Sequence, residues 1–232
     1  RDIYLHLAGA KSGVYVYING QEVGYSEDSK NSAEFLINKF VKPGKNVLTL
    51  KIYRWSTGSY LECQDFWRIS GIERDVFLYS QPKAALKDFR VTSTLDDTYK
   101  DGIFKLGVDL RNNGSTAGNM TLVYELLDAN GKVVATGEKA TNVAAGETRT
   151  VSFDQTLPDV KTWTSEAPNL YKLVMTVKEN GKVNEIIPFN VGFRRIEIKP
   201  TEQLARNGKP YVCLFINGQP LKLKGVNIHE HN

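Results

Sequence analysis

The chain has 232 residues, of which 41% are hydrophobic and 24% are charged, as is ordinary for folded globular proteins. This length accommodates one or two domains. The formal charge of +4 arises without any block of five or six like charges, so the basic residues indicate solvated faces rather than a nucleic-acid surface. No apolar run approaches the roughly 18 residues that a membrane-spanning helix needs. Cys63 and Cys213 have no CxxC neighbours, which argues against a disulfide framework or a zinc site.

The two ends of the chain predict that it is a piece of a larger protein. The sequence begins at Arg1 rather than at a methionine, and it stops at Asn232 directly after an apolar, strand-like run. Whether the larger protein is cytoplasmic or periplasmic cannot be read from such a piece.

Residues 1–82 have the pattern of β structure throughout. The β-branched and aromatic run Val14–Ile18 ends in Asn19-Gly20, a dipeptide that accepts the positive φ angles of a tight hairpin. Further short strands are predicted at 33–37, 47–53 and 75–79. Short strands separated by turn residues are typical of a β-sandwich or jelly roll.

Between Gly58 and Pro82, charged side chains lie among large aromatic ones. The aromatic residues are Tyr60, Phe66, Trp67, Phe77 and Tyr79, and the charged residues are Glu62, Asp65, Arg68, Glu73, Arg74 and Asp75. A buried carboxylate is costly unless it is paired or hydrogen-bonded, so these groups either pair internally or serve a ligand or ion. We interpret Arg68, Arg74 and Asp75 as structural ion pairs. Asp65 lies in a stretch without clear periodicity, where a loop at a pocket rim and a cap on backbone N–H groups fit equally well.

Residues 83–198 predict a second β-sandwich. Alternating apolar runs, such as Phe104–Leu110 and Tyr171–Val177, are separated by turns, and about seven strands are expected of an immunoglobulin-like domain. The Cys…Trp…Cys core of antibody domains is absent from the sequence. We interpret Trp163–Tyr171 as a packing and strand-start segment rather than a sugar platform. No chemistry is assigned to this domain, which is expected to act as a spacer and buttress.

Residues 199–232 predict a polar connection followed by a hairpin. Tyr211–Ile216 leads into the turn Asn217-Gly218, and Leu221–Asn227 forms the second arm before His229-Glu230-His231. On a strand, His229 and His231 would share one side while Glu230 points away. Two imidazoles make an incomplete zinc site, and the HExxH spacing of metalloproteases is absent, so a metal role for this triplet is disfavoured.

Several of these segments resemble glycoside hydrolase family 2, and within it the large β-galactosidases. The run RWSTGSYLECQDFWRISGIERDV resembles the end of that family's sugar-binding domain, and VYINGQEVGYSEDSKNSAEFLI is similar to an earlier part of it. WTSEAPNLY and VGFR resemble its immunoglobulin-like domain, although Thr164 stands where the family more often has Ser. GVNIHEHN resembles the opening of its catalytic barrel.

The resemblance implies three segments. They are an N-terminally truncated jelly-roll sugar-binding domain at 1–82, an immunoglobulin-like β-sandwich at 83–198, and the truncated start of a catalytic (β/α)8 barrel at 199–232. It also implies that Asp65 contacts the primary hydroxyl of a galactosyl group and helps to hold sodium. His229 would bind a galactose hydroxyl and stabilise the transition state.

The resemblance further implies an activity for the larger protein. It would cleave terminal β-galactosides with retention through a covalent galactosyl-enzyme, use sodium and magnesium, and assemble as a homo-oligomer. Neither nucleic acid nor a membrane is an expected partner. Both catalytic glutamates would lie further along the barrel and Glu230 matches neither, so the 232-residue chain is expected to be inactive.

Two alternatives remain open at this stage. The chain could be a carbohydrate-binding or adhesive tandem of β-sandwiches without catalytic ancestry, although such modules would be expected to have complete first strands. It could also come from a β-glucuronidase or β-mannosidase of the same family, although ECQDFWRISGI and GVNIHEHN favour a galactosidase.

Overall fold

The structure, a computed structural model, describes residues 1–62 and 69–227 and is almost entirely β. The predicted all-β class is confirmed. The chain divides into two compact units, one comprising Arg1–Pro82 and the described residues from Gly225 onward, the other comprising Lys83–Lys224. Within the described ranges, none of the helical segments has the length and apolar character required to cross a membrane.

The first unit is built from short strands. They are β1 (Asp2–Leu7), β2 (Ala10–Lys11), β3 (Gly13–Ile18), β4 (Gln21–Glu27), β5 (Ala33–Leu36), β6 (Leu48–Tyr53), β7 (Gly71–Ile72) and β8 (Val76–Gln81), with a short helix α1 (Ser59–Glu62) between β6 and β7. The sheets run β5-β1-β8, β4-β3-β6 and β2-β7. Alternate side chains of β1 and β3 point into a shared core whose members include Leu5, Leu7, Val14, Val16 and Ile18.

The predicted hairpin between β3 and β4 is confirmed. Asn19 and Gly20 have φ angles of 53° and 80°, and Ile18 pairs with Gln21, so the connection has two residues. Two successive positive φ angles match the right-handed twist of the flanking strands, which is why Asn-Gly is favoured there.

The second unit contains a seven-stranded sandwich. Its strands are β9 (Ala84–Leu95), β10 (Gly102–Asn112), β11 (Gly118–Leu127), β12 (Val133–Val143), β13 (Thr148–Leu157), β14 (Tyr171–Glu179) and β15 (Lys182–Val191). One sheet runs β13-β10-β9 and the other β12-β11-β14-β15. The core between them includes Phe104, Leu106, Leu122, Tyr124 and Met175, each 1% exposed or less. The predicted β-sandwich architecture is confirmed.

The same unit continues into a smaller sheet of β16 (Ile196–Leu204), β17 (Pro210–Ile216) and β18 (Gln219–Pro220), in that order. The polar connection expected before Tyr211 is wrong over Ile196–Leu204, because these residues form β16 and pair with β17. β16 also spans the predicted boundary at 198/199, and that domain division stays a prediction.

The second arm of the predicted hairpin is much shorter than expected. The Asn217-Gly218 turn is present, but β18 has two residues, and Leu221–Asn227 lies in no strand. The Leu221 N–H still donates to Leu214 O at 2.8 Å. A barrel strand is held by hydrogen bonds to strands on both sides, and the described part of this chain provides no such neighbours for Gly225–Asn227.

Candidate functional site

The two predicted site residues, Asp65 and His229, lie outside the described residues. The same holds for Arg68, one of the predicted ion-pairing residues, and for the His229-Glu230-His231 triplet as a whole. The structure does describe the chain on both sides of the segment 63–68 and the hairpin that precedes His229. These flanking contacts show how each segment is attached to its β scaffold.

On the N-terminal side of segment 63–68, helix α1 is fixed by serine hydroxyls. Ser59 is only 3% exposed, its Oγ donates to Ser12 Oγ at 2.9 Å, and it accepts the Ser56 N–H at 2.9 Å. A buried hydroxyl that both donates and accepts is fully satisfied and therefore costs little to bury. The start of α1 is thereby tied to the strand region around Ser12.

Glu62, the last residue of α1, is fixed to a second loop. Its carboxylate accepts the Ser29 hydroxyl and, at 3.3 Å, the Ser29 N–H. Ser29 is 2% exposed, so this bond is sheltered from water. Hydrogen bonds to a carboxylate are stronger than bonds between neutral groups, and Glu62 therefore fixes the chain immediately before residue 63.

Glu27 makes a similar contact to the residues directly before α1. Its carboxylate accepts the Gly58 N–H at 2.9 Å and the Thr57 hydroxyl at 2.7 Å. These two bonds, the Gly58 bond first, hold the pKa of the Glu27 carboxyl below its usual value. Glu27 is thus a negatively charged cap on the turn that begins α1.

On the C-terminal side, the chain is attached through β7. Gly71 and Ile72 pair with Lys11 and Ala10 of β2. The following residue, Glu73, accepts the Lys30 ammonium at 3.1 Å, and Lys11 lies 3.9 Å from the same carboxylate. The N-terminal side of segment 63–68 is therefore held by Ser12 and Ser29, and its C-terminal side by β2 and Lys30.

The predicted ion pairing of Arg68, Arg74 and Asp75 stays a prediction, because Arg68 lies outside the described residues. The Arg74 guanidinium donates to the carbonyl oxygens of Lys30 at 3.0 Å and Ala8 at 3.5 Å. A guanidinium carries five donors in a planar fork and can therefore bind backbone carbonyls as well as carboxylates. Asp75 contributes its carbonyl oxygen, which accepts the Ala8 N–H at 3.0 Å.

The aromatic residues after this region stack on β1. The Phe77 ring lies 4.5 Å from the His6 ring, and the Tyr79 ring lies 5.1 Å from that of Tyr4. His6 Nδ1 is 2.8 Å from Glu34 Oε1 on β5. These rings belong to the sheet face and make cross-strand pairs of the kind that stabilise antiparallel sheets.

The hairpin that precedes His229 is fixed at its turn. Asn217 Oδ1 accepts the Arg195 N–H at 2.9 Å, and Asn217 Nδ2 donates to Trp163 O at 3.0 Å. Gly218 has a φ of +78°, and a Cβ added there would lie 2.7 Å from the Tyr99 ring. Only glycine fits this position, because both the backbone conformation and the ring contact exclude a side chain.

A polar network holds β16 against the sandwich of the same unit. The Tyr99 hydroxyl donates to Glu197 Oε2 at 2.8 Å and accepts the Lys199 ammonium at 2.8 Å. The bond from Tyr99 is the main cause that lowers the pKa of the Glu197 carboxyl and raises the pKa of the Lys199 amine. Arg195 adds a 3.2 Å contact to Glu197. The network keeps these residues in their charged forms.

The Trp163 segment behaves as a packing element, as predicted. The Arg194 guanidinium lies 4.6 Å from the Trp163 ring centroid, and Gly192 lies close enough that an added Cβ would be 3.1 Å from that ring. The Ala167 N–H donates to Thr164 Oγ1 at 3.0 Å. Thr164 thus provides the hydroxyl that closes the turn before β14.

No metal site can be assembled from the described residues, since among 1–62 and 69–227 no group of three or more His, Cys, Asp or Glu side chains is placed to hold an ion. The carboxylates beside segment 63–68 are already engaged: Glu27 and Glu62 bind backbone N–H and hydroxyl groups, and Glu73 binds lysines. The sodium and magnesium expectations therefore stay predictions that depend on Asp65 and on residues elsewhere.

Sequence reasoning missed the residues that attach the chain beside segment 63–68 and strand β16 to their units. Ser29 and Glu62 are 33 positions apart, and Tyr99 and Glu197 are 98 positions apart. No local pattern links residues at such separations. One available signal was the alternation Ile196-Glu197-Ile198-Lys199, which has the period of a strand.

Comparisons with known proteins identify both units. The family model described as glycosyl hydrolases family 2, sugar binding domain, matches residues 1–82, and the model described as glycosyl hydrolases family 2 matches residues 84–194. Two crystal structures have similar folds. A Bacteroides uniformis β-glucuronidase superposes with a TM-score of 0.85 at 22% identity, covering 97% of this chain and 27% of that one. A family 2 member from Bacteroides cellulosilyticus superposes with a TM-score of 0.78 at 19% identity, covering 97% and 29%.

Several proteins with similar sequences are named beta-galactosidase. A beta-galactosidase of Priestia megaterium is 41% identical over 230 residues, which are 98% of this chain and 21% of that protein. A beta-galactosidase of Streptococcus thermophilus is 38% identical over 232 residues, again 21% of its length. A beta-galactosidase large subunit of Lactobacillus acidophilus is 37% identical over 232 residues, or 34% of its length. The chain thus spans about a fifth to a third of these relatives. With both of its β units matched in order, the chain belongs to glycosyl hydrolase family 2.

Proposed function

We propose that this chain forms the scaffold and sugar-contacting part of a β-galactosidase that hydrolyses terminal, non-reducing β-D-galactosides with retention of configuration. The observation that carries the proposal is the 41% identity to a protein named beta-galactosidase, sustained over 98% of this chain. The similarity to a solved β-glucuronidase lies at 22% identity and concerns the fold alone.

The reaction would use groups from two parts of the longer protein. A retaining glycosidase needs two carboxyl groups about 5 to 5.5 Å apart, one as acid/base and one as nucleophile. Both would come from barrel sequence that follows this chain. This chain would supply Asp65 as an acceptor for the galactosyl primary hydroxyl and His229 as a hydrogen-bonding group at another sugar hydroxyl.

The two side chains would contribute at different stages. Hydrogen bonds to hydroxyls near the anomeric centre strengthen as positive charge develops, so His229 would lower the barrier more than it strengthens substrate binding. Asp65 would orient the sugar, and bound sodium would add a hard cation for hydroxyl and carboxylate oxygens. The Glu62–Ser29 bond and the β7–β2 pairing support this role, because they hold both ends of the segment that carries Asp65.

Kinetics of the full-length protein test the proposal. Asp65→Asn is expected to raise KM for a chromogenic β-galactoside and to weaken the response to sodium. His229→Asn is expected to lower kcat by about tenfold or more, since each tenfold loss corresponds to about 1.4 kcal/mol of barrier. Asp154→Asn is the matched control, because Asp154 is an exposed carboxylate on β13 that pairs with Lys105.

Substrate choice distinguishes the alternatives. The full-length protein should hydrolyse the β-galactoside much faster than the corresponding β-glucuronide or β-mannoside, and the 232-residue chain should hydrolyse none of them. Faster β-glucuronide or β-mannoside cleavage would reassign the substrate within the family. Turnover that copurifies with the 232-residue chain would contradict the placement of both catalytic carboxylates outside it.

A further inference from the structure

One end of the seven-stranded sandwich contains a cavity of about 430 Å³, which we call the end cavity. It lies between the β11–β12 turn at residues 128–132 and the long connection from β13 to β14 at residues 158–170. Sites for small molecules typically have volumes of about 300–1,000 Å³ and combine apolar walls with a few polar groups. All residues that line the end cavity belong to the second unit, to which the sequence assigned no chemistry.

The apolar part of the lining is rigid. Leu157, Val160 and Tyr171 are each at most 8% exposed, because they also belong to the core of the sandwich. Val134 and Leu170 extend this lining and are 37% and 44% exposed. Side chains in a close-packed core keep their positions. The end cavity therefore offers a ligand an apolar surface of fixed shape.

Hydrogen bonds fix the two connections that flank the cavity. In the β11–β12 turn, Asp128 Oδ1 accepts the Asn130 N–H at 2.9 Å and the Lys132 N–H at 3.0 Å. In the β13–β14 connection, the Tyr171 hydroxyl accepts the Lys161 N–H at 2.9 Å. A site whose walls are already ordered loses less conformational entropy when a ligand binds.

The charged residues around the end cavity balance one another. Two carboxylates, of Asp128 and Asp159, and two ammonium groups, of Lys132 and Lys161, contribute to the lining. Asp159, Lys132 and Lys161 are exposed and therefore accessible to a ligand. A phosphate would meet two carboxylates there and a cation would meet two ammonium groups, so the balance favours a neutral ligand. Hydroxyl groups suit such a site, because each hydroxyl can both donate and accept.

We infer that the end cavity binds a neutral saccharide, with a face of a sugar ring against the apolar lining and ring hydroxyls at Asp159, Lys132 and Lys161. A sugar ring presents C–H groups to an apolar surface and hydroxyls to polar partners, so it matches both parts of the lining. The inference does not rest on galactosidase activity. Binding in the end cavity and substrate choice of the full-length protein are measured separately, so either proposal can fail without the other.

A peptide is a poorer match, although it also combines apolar and polar groups. Extended peptides are commonly bound by adding a strand to an exposed sheet edge. Strand β12 is such an edge in its sheet, but only its first two residues, Val133 and Val134, line the end cavity. This overlap is too short for a ladder of main-chain hydrogen bonds.

Amide chemical shifts in NMR spectra of the 232-residue chain test the inference. Titration with lactose, maltose and cellobiose should shift the amides of residues 128–132 and 159–161 saturably for at least one disaccharide. The amides of the Asn19-Gly20 turn in the first unit are the internal control and should stay unchanged. Inorganic phosphate and ethylenediamine are the charged probes and should cause no saturable shift at the same amides. Saturation by a charged probe alone, or no saccharide shift at these amides, would overturn the inference.

A double variant tests the polar contacts. Asp159→Asn combined with Lys161→Ala should weaken saccharide affinity about tenfold or more, as the loss of hydrogen bonds to charged groups does. Asparagine tolerates the φ of 48° at position 159. The matched control is Asp154→Asn with Lys105→Ala, an exposed pair between β13 and β10 that should leave the affinity unchanged. Equal affinities of the two double variants would contradict the proposed contacts.

Filling the cavity provides an independent measurement. Val134→Trp places a large ring in the lining and should abolish the saccharide shifts, whereas Val183→Trp on β15, at a residue 47% exposed, should preserve them. Full affinity in folded Val134→Trp would overturn the inference. If Val134→Trp fails to fold, the double variant decides, because its substitutions are at exposed positions.

A blocked tripeptide of valine, leucine and alanine distinguishes the two ligand classes. It should shift the amides of the end cavity only at much higher concentrations than the disaccharide that binds. Saturation by the tripeptide at lower concentrations than any disaccharide would assign the end cavity to a polypeptide and overturn the inference.

Discussion

The two β-sandwich units of this chain are stabilised in different ways. In the first unit, strands have two to seven residues, and buried serines and carboxylates connect the loops. In the second unit, the seven sandwich strands have nine to twelve residues, and their alternate side chains form a larger apolar core. Polar contacts fix direction and distance, whereas apolar burial provides most of the folding free energy.

The difference matches the roles proposed for the two units. Under the proposed function, the first unit would hold the segment that carries Asp65, and bonds to Glu27, Glu62 and Glu73 fix the described chain on both sides of that segment. The second unit must stay rigid and present a hairpin. A long-stranded apolar sandwich suits that task, because its core resists deformation.

The largest expected effect comes from the core of the second unit. Phe104 is fully buried, with its ring centroid 5.4 Å from that of Tyr124, so Phe104→Ala should lower the free energy of unfolding by about 3–5 kcal/mol. Chemical denaturation measures the change. Phe189→Ala is the matched control, because Phe189 is 46% exposed and should cost less than half as much. Similar losses for the two variants would show that burial does not set the stability of this unit.

A smaller effect is expected from the polar contacts of the first unit. Ser29→Ala removes the hydroxyl that Glu62 accepts, and a hydrogen bond to a charged group is worth about 1.5–3 kcal/mol. Denaturation should show a loss in this range, and proteolysis near residue 62 should become faster. Ser26→Ala is the control, since the Ser26 hydroxyl makes only a 3.4 Å contact to Glu27 O, and a change of about 0.5 kcal/mol or less is expected. Equal effects would mean that Ser29 does not fix Glu62.

The smallest effect concerns pH dependence in the turn between β9 and β10. The Thr98 hydroxyl, followed by the Lys100 and Asp101 N–H groups, lowers the pKa of the Asp96 carboxyl from 3.8 to about 2. The folded protein therefore binds this proton more weakly than the unfolded chain. The stabilising contribution is complete above pH 3.8 and disappears as the pH falls through about 2.

Denaturation between pH 5 and 2 measures this contribution. Asp96→Asn should flatten the acid limb of the stability curve while leaving its shape near neutral pH unchanged. Asp154→Asn, at a carboxylate that is 65% exposed on β13, is the control and should change the acid limb less. An unchanged acid limb in Asp96→Asn would show that the Thr98 bond does not perturb the titration.

Local patterns predicted many of the strands and turns because those elements depend on nearby residues. Asn19-Gly20 specified its hairpin through backbone conformation, and the alternation in 104–110 specified β10. β16 was not predicted although Ile196–Lys199 alternates with the period of a strand. The alternation does not reveal which face is covered, and the charged residues are the ones that face Tyr99. The second arm at 221–227 was overestimated because a strand also needs a neighbouring strand.

The sequence by itself determined the all-β class, the main turns and the family, since strand periodicity, positive-φ residues and motif spacing are all local properties. Only the tertiary structure decided which carboxylates are engaged in internal contacts and which face of the hairpin stays exposed. Glu62 meets Ser29, and Glu197 meets Tyr99, across long stretches of chain. Such pairings arise when sheets pack, because packing determines which distant side chains can reach one another and which remain in water.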